Sequence, residues 1–176
     1  MNSIKLAIAI AMSITATSRI STANTGPTSW SAPATSCRFA STTGAQPPSF
    51  DYTYGEVGFA AGDKGTLHLV CPIPTTQVVI ADPSQMQLAY NAQPGCSVTA
   101  TLRSHSRNGT DYGSLGTIAV VGSGMVAPYF STQYVNFTGD WDPDDNVYWV
   151  DLSVTKSEPS ETYCTVNTIS VNSVFF

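Results

Sequence analysis

The sequence predicts an all-β protein: an antiparallel two-sheet β-sandwich, jelly-roll or immunoglobulin-like, with about nine strands and two disulfides. No stretch of twelve or more residues keeps the 3.6-residue apolar period of a helix. Short β-branched and aromatic runs recur instead, separated by turn clusters that share the chain's 13 Gly and 11 Pro. Four cysteines, an even number, allow two disulfides to brace such a fold.

Nine runs have the length and composition of strands. They are residues 52–59, 66–71, 77–81, 86–90, 96–102, 117–121, 129–137, 147–154 and 163–171. Apolar residues alternate with polar ones in several of them, which assigns one side of each strand to the core. The side chains predicted to face inward are Leu67, Leu69 and Cys71, then Cys96, Val98, Ala100 and Leu102, and then Tyr148, Val150, Leu152 and Val154.

In the last run, residues 163–171, the apolar residues switch from one side of the strand to the other. Cys164 and Val166 share one side of the strand, whereas Ile169 and Val171 share the other. Because inward side chains of a regular strand are two residues apart, this change predicts a bulge near Asn167.

Residues 1–23 have the pattern of a secretory signal peptide. Lys5 precedes an apolar run from Leu6 to Ile14, and Ser21 and Ala23 suit the small-residue requirement of signal peptidase. A membrane span needs about 20 apolar residues, and this run is shorter. We therefore expect residues 24–176 to form a single secreted β-sandwich domain, located outside the cell or in the periplasm.

The charge of the chain excludes two classes of partner. The formal net charge is −5, and removal of Lys5 and Arg19 with the leader makes the remaining chain more acidic. Nucleic acids and anionic membranes attract clustered cations, so neither is an expected partner. Charged residues make up only 11% of the chain, a neutral polar composition that we associate with extracellular proteins.

The four cysteines permit three connectivities, which sequence alone does not distinguish. We expect Cys37 to pair with Cys71, tying the N-terminal arm to an early strand, and Cys96 to pair with Cys164, closing a loop across most of the domain. A metal site is the alternative, but the chain has no close CxxC pair and only two His.

These cysteines also carry a resemblance. An early Trp, Cys37 followed by Arg, "YTYG", "LVCPIP", Cys96 followed by "SV", and "YCTV" occur in an order that resembles small uncharacterised secreted four-cysteine β-sandwich proteins of environmental bacteria. The similarity depends on the cysteines and on Pro72 after Cys71, and it covers most of the chain after the leader. It implies a sandwich-like fold and no particular activity.

No catalytic residue can be assigned. A GxSxG motif on a strand, turn and helix is absent. His68 lies between inward Leu67 and Leu69, so it should point outward, and His105 lies in a predicted loop near Asp111. A secreted hydrolase with an unrecognised site remains an alternative function.

The segment "DWDPDDNVYWVD", residues 140–151, is the most acidic part of the chain. One hypothesis is a Ca²⁺ site, because carboxylates are the ligands this cation prefers. The other is a hairpin in which Pro143 fixes the backbone and Asp and Asn accept turn hydrogen bonds. A strand over residues 147–154 would carry Asp151 away from either arrangement. The candidate ligands are Asp140, Asp142, Asp144 and Asp145.

Aromatic side chains provide a second candidate site. Trp149 should lie on the strand side opposite Tyr148, and would be exposed in a two-layer fold. A stacking surface for sugar rings is one interpretation, and packing in the core or under loops is the other. The candidate residues are Trp141, Trp149, Tyr129 and Tyr134.

The leading hypothesis is therefore a secreted, non-catalytic β-sandwich that binds carbohydrate, with an extracellular polysaccharide as its partner. The alternative from another class is a self-associating structural subunit of a cell-surface layer or an extracellular filament.

Overall fold

The computed structural model describes residues 29–43, 50–51, 55–59, 62–74, 83–109, 112–122, 131–137, 141–158 and 163–172. These residues form eleven strands and one short 3₁₀ helix, Ala34–Ser36, with no α-helix among them. The strands are β1 (Ser29–Pro33), β2 (Arg38–Thr43), β3 (Phe50–Asp51), β4 (Glu56–Phe59), β5 (Gly65–Ile73), β6 (Gln85–Ala92), β7 (Cys96–Ser106), β8 (Tyr112–Val121), β9 (Ser131–Asn136), β10 (Asn146–Lys156) and β11 (Cys164–Asn172).

The strands form two antiparallel sheets, so the predicted all-β sandwich is confirmed. A six-stranded sheet has the order β3-β4-β11-β6-β9, and β1 also pairs with β11. A five-stranded sheet has the order β2-β5-β10-β7-β8. The sequence predicted about nine strands. It missed β1, β2 and β3, whose short polar or irregular sequences lack the alternation that marks a half-buried strand.

Strands β7 and β8 extend further than predicted, and this corrects the position of His105. It belongs to β7 and pairs with Tyr112 of β8, whereas the sequence placed it in a loop. The apolar alternation stops at Leu102, but main-chain pairing with both neighbours continues to the end of the strand. The predicted strand at 77–81 lies outside the described residues.

The core lies between the sheets. Every side chain predicted to face inward from β5, β7 and β10 is buried. In β11 the pairing register with β6 shifts between Val166 and Thr168, which confirms the bulge predicted near Asn167. Because strand side chains alternate, burial of this inward set leaves the intervening residues on the outer faces of the sandwich.

Both disulfides have the expected pairing. Cys37, the residue before β2, is joined to Cys71 of the neighbouring strand β5, and Cys96 joins Cys164 between the two sheets. Their loops span 34 and 68 residues, which corresponds to about 3.8 and 4.4 kcal/mol of stabilisation in the chain-entropy treatment. In the part of the chain that the structure describes, no helix is long and apolar enough to cross a membrane.

Candidate functional site

The outer side of the five-stranded sheet, here called the five-stranded face, carries the most distinctive group of side chains. Since Tyr148, Val150 and Leu152 of β10 fill the core, Trp149 and Asp151 point outward on the same strand. The indole Nε1 of Trp149 donates a hydrogen bond of 3.0 Å to Oδ1 of Asp151. The indole is thereby held against the sheet by its neighbour two residues along.

Arg103 comes to this pair from β7. It lies opposite Trp149 in the strand register, and its Nε donates to Oδ2 of Asp151 at 2.7 Å. The side chains of Arg103 and Asp151 are 33% and 38% exposed, so solvent reaches the ion pair. Such pairs contribute about 0–1 kcal/mol to stability, and the main effect of this one is to fix the orientation of two charged groups.

Tyr112 and His105 add two further rings to this group. The Tyr112 ring meets the Trp149 ring edge to face at 5.3 Å between centroids, and it meets the His105 ring similarly at 5.7 Å. The Arg103 guanidinium carbon lies 5.7 Å from the centroid of the Tyr112 ring, within reach of a cation–π contact. We call Trp149, Asp151, Arg103, Tyr112 and His105 the Trp149 cluster.

A shallow groove of about 280 Å³ lies next to the cluster and shares Arg103 and Asp151 with it. Thr99 and Thr101 of β7 and Ser153 of β10 supply hydroxyl groups along this groove. The rest of its lining is Ala40, His68, Leu69, Val70 and Leu152. His68 is exposed on the outer side, as its position between two inward leucines predicted.

The structure places Trp141 on the other side of β10 from Trp149. Its ring stacks on the ring of Tyr148, with centroids 3.8 Å apart and planes 16° from parallel. Tyr148 is a core residue, and its hydroxyl accepts a hydrogen bond from the backbone N–H of Asp142. Trp141 therefore covers one end of the core, and its half-buried ring does not extend the five-stranded face.

Tyr134 lies in β9, at the edge of the other sheet. Its register partner is Gln87, and both point away from the core because their neighbours Val135 and Met86 pack inward. Tyr129 lies outside the described residues. The described members of the predicted aromatic set thus occupy three separate places, and only Trp149 belongs to the cluster with the groove.

The described start of the acidic segment, residues 141–145, forms a turn that leads into β10. Oδ1 of Asp142 accepts hydrogen bonds from the backbone N–H groups of Asp144 and Asp145, and the carbonyl of Asp142 accepts one from Asn146. It is not the hairpin considered from the sequence, because β9 and β10 belong to different sheets. No three His, Cys, Asp or Glu side chains of the described ranges converge as metal ligands. Asp140 lies outside those ranges.

Sequence reasoning missed Arg103, Asp151 and Tyr112 as partners of Trp149. Because Leu102 and Val150 were predicted to face inward, alternation was sufficient to place their neighbours Arg103 and Asp151 on the outer sides of their strands. It could not show that β7 and β10 are neighbours, because the two hydrogen-bonded residues are 48 positions apart in the chain.

No protein-family model matches the chain, and no curated protein matches its sequence. The chain does align with solved structures. A low-affinity xylan-binding module from the gut symbiont Roseburia intestinalis is 13% identical, with 82% of this chain and 94% of that one covered and a TM-score of 0.40. A family 35 carbohydrate-binding module from an environmental isolate is 10% identical, with coverages of 82% and 93% and a TM-score of 0.42.

A family 11 carbohydrate-binding module from Clostridium thermocellum, solved with a mixed-linked tetrasaccharide, is 14% identical. The alignment covers 84% of this chain and 88% of that module, with a TM-score of 0.40. All three TM-scores are below 0.5, so we base the functional proposal on the side chains of the five-stranded face.

Proposed function

We propose that this protein binds carbohydrate on its five-stranded face and acts outside the cell without catalysing a reaction. The observation that supports this most directly is the position of the Trp149 cluster beside the groove. Aromatic rings, a fixed ion pair and several hydroxyl groups are available there on one surface.

A sugar ring has an apolar C–H face and a rim of hydroxyl groups, so a complementary surface needs both aromatic and polar groups. Tyr112 supplies an aromatic ring that is 61% exposed, and Trp149 contacts that ring edge to face. Arg103 and Asp151 hold each other in place, and Asp151 also holds Trp149. Because these side chains are ordered before a ligand arrives, little conformational entropy is lost on binding.

Binding without turnover is favoured by the charges of the groove. Glycosidases commonly use two carboxyl groups about 5 to 10 Å apart, one as acid and one as base or nucleophile. Asp151 is the one carboxylate among the described residues that line this groove, and both of its oxygens already accept hydrogen bonds. Two disulfides agree with an oxidising compartment, and the leader predicted at residues 1–23 would deliver the chain there.

The test compares two exposed tyrosines, Tyr112 on the five-stranded face and Tyr134 on the six-stranded sheet, each 61% exposed. Tyr112→Ala should weaken retention on soluble and insoluble polysaccharides about tenfold, the value of one aromatic contact, while Tyr134→Ala leaves it unchanged. Affinity electrophoresis across a panel of plant and microbial polysaccharides measures retention, and thermal unfolding checks that both variants fold.

Equal retention of the two variants would place the ligand elsewhere on the protein. Failure of the parent protein to bind any member of the panel would refute carbohydrate binding itself. Growth of ordered polymers by the purified protein would instead support the structural-subunit alternative.

A further inference from the structure

The strands of the five-stranded sheet have an unusual charge distribution for this acidic chain. Asp151 is their sole acidic residue, although the chain as a whole has 12 Asp and Glu against 7 Lys and Arg. Outward basic or imidazole side chains on the same strands are Arg38, His68, Arg103 and His105. With the histidines neutral, two outward Arg against one Asp leave this face with a small positive formal charge on an otherwise acidic chain.

Arg38 lies just outside the set of residues that line that groove. In the strand register it is opposite Val70, and Val70 is opposite Asp151, so the three form one row across β2, β5 and β10. Arg38 is exposed, and its guanidinium makes no hydrogen bond or ion pair within the part of the chain that the structure describes. Its guanidinium is available to an external acceptor.

Arg103 is among the residues that line the groove. Its Nε atom is used by Asp151, and its two Nη groups make no hydrogen bond to the described residues. Asp151 in turn has Oδ1 bound by Trp149 and Oδ2 bound by Arg103. Both carboxylate oxygens of Asp151 thus already accept hydrogen bonds within the protein, whereas the Nη groups of Arg103 still present donors to solvent.

We infer that the carbohydrate bound on the five-stranded face is anionic, carrying uronic acid carboxylates or sulfate esters that contact Arg38 beside the groove and Arg103 in its lining. The two arginines are three strands apart, about 14 Å across the sheet, so they engage different sugar units of one chain. Guanidinium groups bind carboxylate and sulfate oxygens through paired hydrogen bonds, and a neutral sugar offers no such acceptor. This inference rests on the proposed carbohydrate binding and adds the class of ligand.

The test uses polysaccharides that differ only in charge. Polygalacturonate and its fully methyl-esterified form share one backbone and differ in the carboxylate, while dextran sulfate and dextran differ in the sulfate ester. Dissociation constants measured in about 0.02 M and about 0.3 M NaCl show how strongly screening weakens each complex. We expect at least one anionic polymer to bind about tenfold or more tightly than its neutral partner, with the difference falling at the higher salt concentration.

Preference for polygalacturonate identifies a uronic acid ligand, and preference for dextran sulfate identifies a sulfated one. Binding of neutral and anionic partners with equal affinity overturns the inference and leaves carbohydrate binding intact. If none of these four polymers and no member of the wider panel binds, both proposals fail.

A pair of charge variants separates specific contact from general attraction. Arg38→Gln removes one positive charge from the five-stranded face, and Lys64→Gln removes one from the exposed turn before β5, at the end of the sheet away from Tyr112. Arg38→Gln should weaken binding of the preferred anionic polymer about threefold or more, and Lys64→Gln should not. Equal effects of the two variants, with unchanged thermal unfolding, contradict a site between Arg38 and Arg103.

Discussion

The outer sides of the two sheets differ in how their polar groups are used. On the six-stranded side, Nε2 of Gln87 donates to Oε1 of Gln85 at 2.9 Å, and Nε2 of Gln85 donates to Oδ1 of Asn136 at 3.1 Å. The six strands of that sheet contain no Lys, Arg or His. The amides bond to one another, and the charged residues of these strands are the acids Asp51 and Glu56.

The five-stranded face has a different balance. Arg103 and Asp151 form one short contact, but the guanidinium of Arg38 and the Nη groups of Arg103 have no partner among the described residues. Aromatic rings lie beside these charges instead of amides. Among the described residues, the unused guanidinium donors lie on the five-stranded face, beside side chains that are already held in place, and this combination suits a binding surface.

The largest expected effect concerns the disulfide between Cys96 and Cys164, which joins the two sheets. Replacing both Cys96 and Cys164 with Ala should lower the free energy of unfolding by about 4 kcal/mol, because the unfolded chain loses a long constrained loop. Urea denaturation followed by tryptophan fluorescence measures this change. A loss below about 1 kcal/mol would contradict an important role for the inter-sheet bond.

The next prediction separates the inner from the outer side of β10. Leu152→Ala should cost about 3 kcal/mol of unfolding free energy, because Leu152 is 1% exposed and its removal leaves a cavity in the core. Ser153→Ala, one residue along on the five-stranded face, serves as the control and should cost less than about 0.5 kcal/mol. Similar losses in the two variants would show that the assigned alternation is incorrect.

A smaller effect is expected on the six-stranded side. Gln87→Ala removes one hydrogen bond of the amide series and should lower the free energy of unfolding by about 1 kcal/mol. Polysaccharide retention should stay at the parental level, since this side has no role in the proposed binding. Reduced retention with a normal unfolding transition would show that the ligand binds on this side of the protein.

The smallest effect is restricted to one pH range. Lys156 continues the inward series of β10, and burial lowers the pKa of its ammonium group below 10.5, with partial opposition from the charge of Asp63. Between that lowered pKa and the unfolded value, the unfolded chain binds more protons, so the free energy of unfolding rises with pH and then levels off.

Lys156→Met keeps an unbranched side chain, one atom shorter, and removes its titration. Its unfolding free energy should therefore lack the alkaline rise that the parent protein shows, as measured by denaturation at a series of pH values. A parallel pH dependence in both proteins would assign the rise to another group.

The pattern of apolar residues along each strand was sufficient to predict much of the fold. Period-two alternation identified the inward residues of β5, β7 and β10, the outward positions of His68 and Trp149, and the bulge near Asn167, because each depends only on neighbours along the chain. The burial of Cys71, Cys96 and Cys164 also follows their parity with core positions, but that parity did not decide among the three possible pairings. Polar strands without alternation, such as β2, gave no comparable signal.

Tertiary structure alone decided which side chains meet. Trp141 and Trp149 are near each other in the sequence, yet one stacks on a core residue and the other lies on the outer face. Arg103 and Asp151 are distant in the sequence, yet they form an ion pair. The physical reason is that alternation is a property of one strand, whereas a binding surface depends on strand order and register, which are set by pairing between distant parts of the chain.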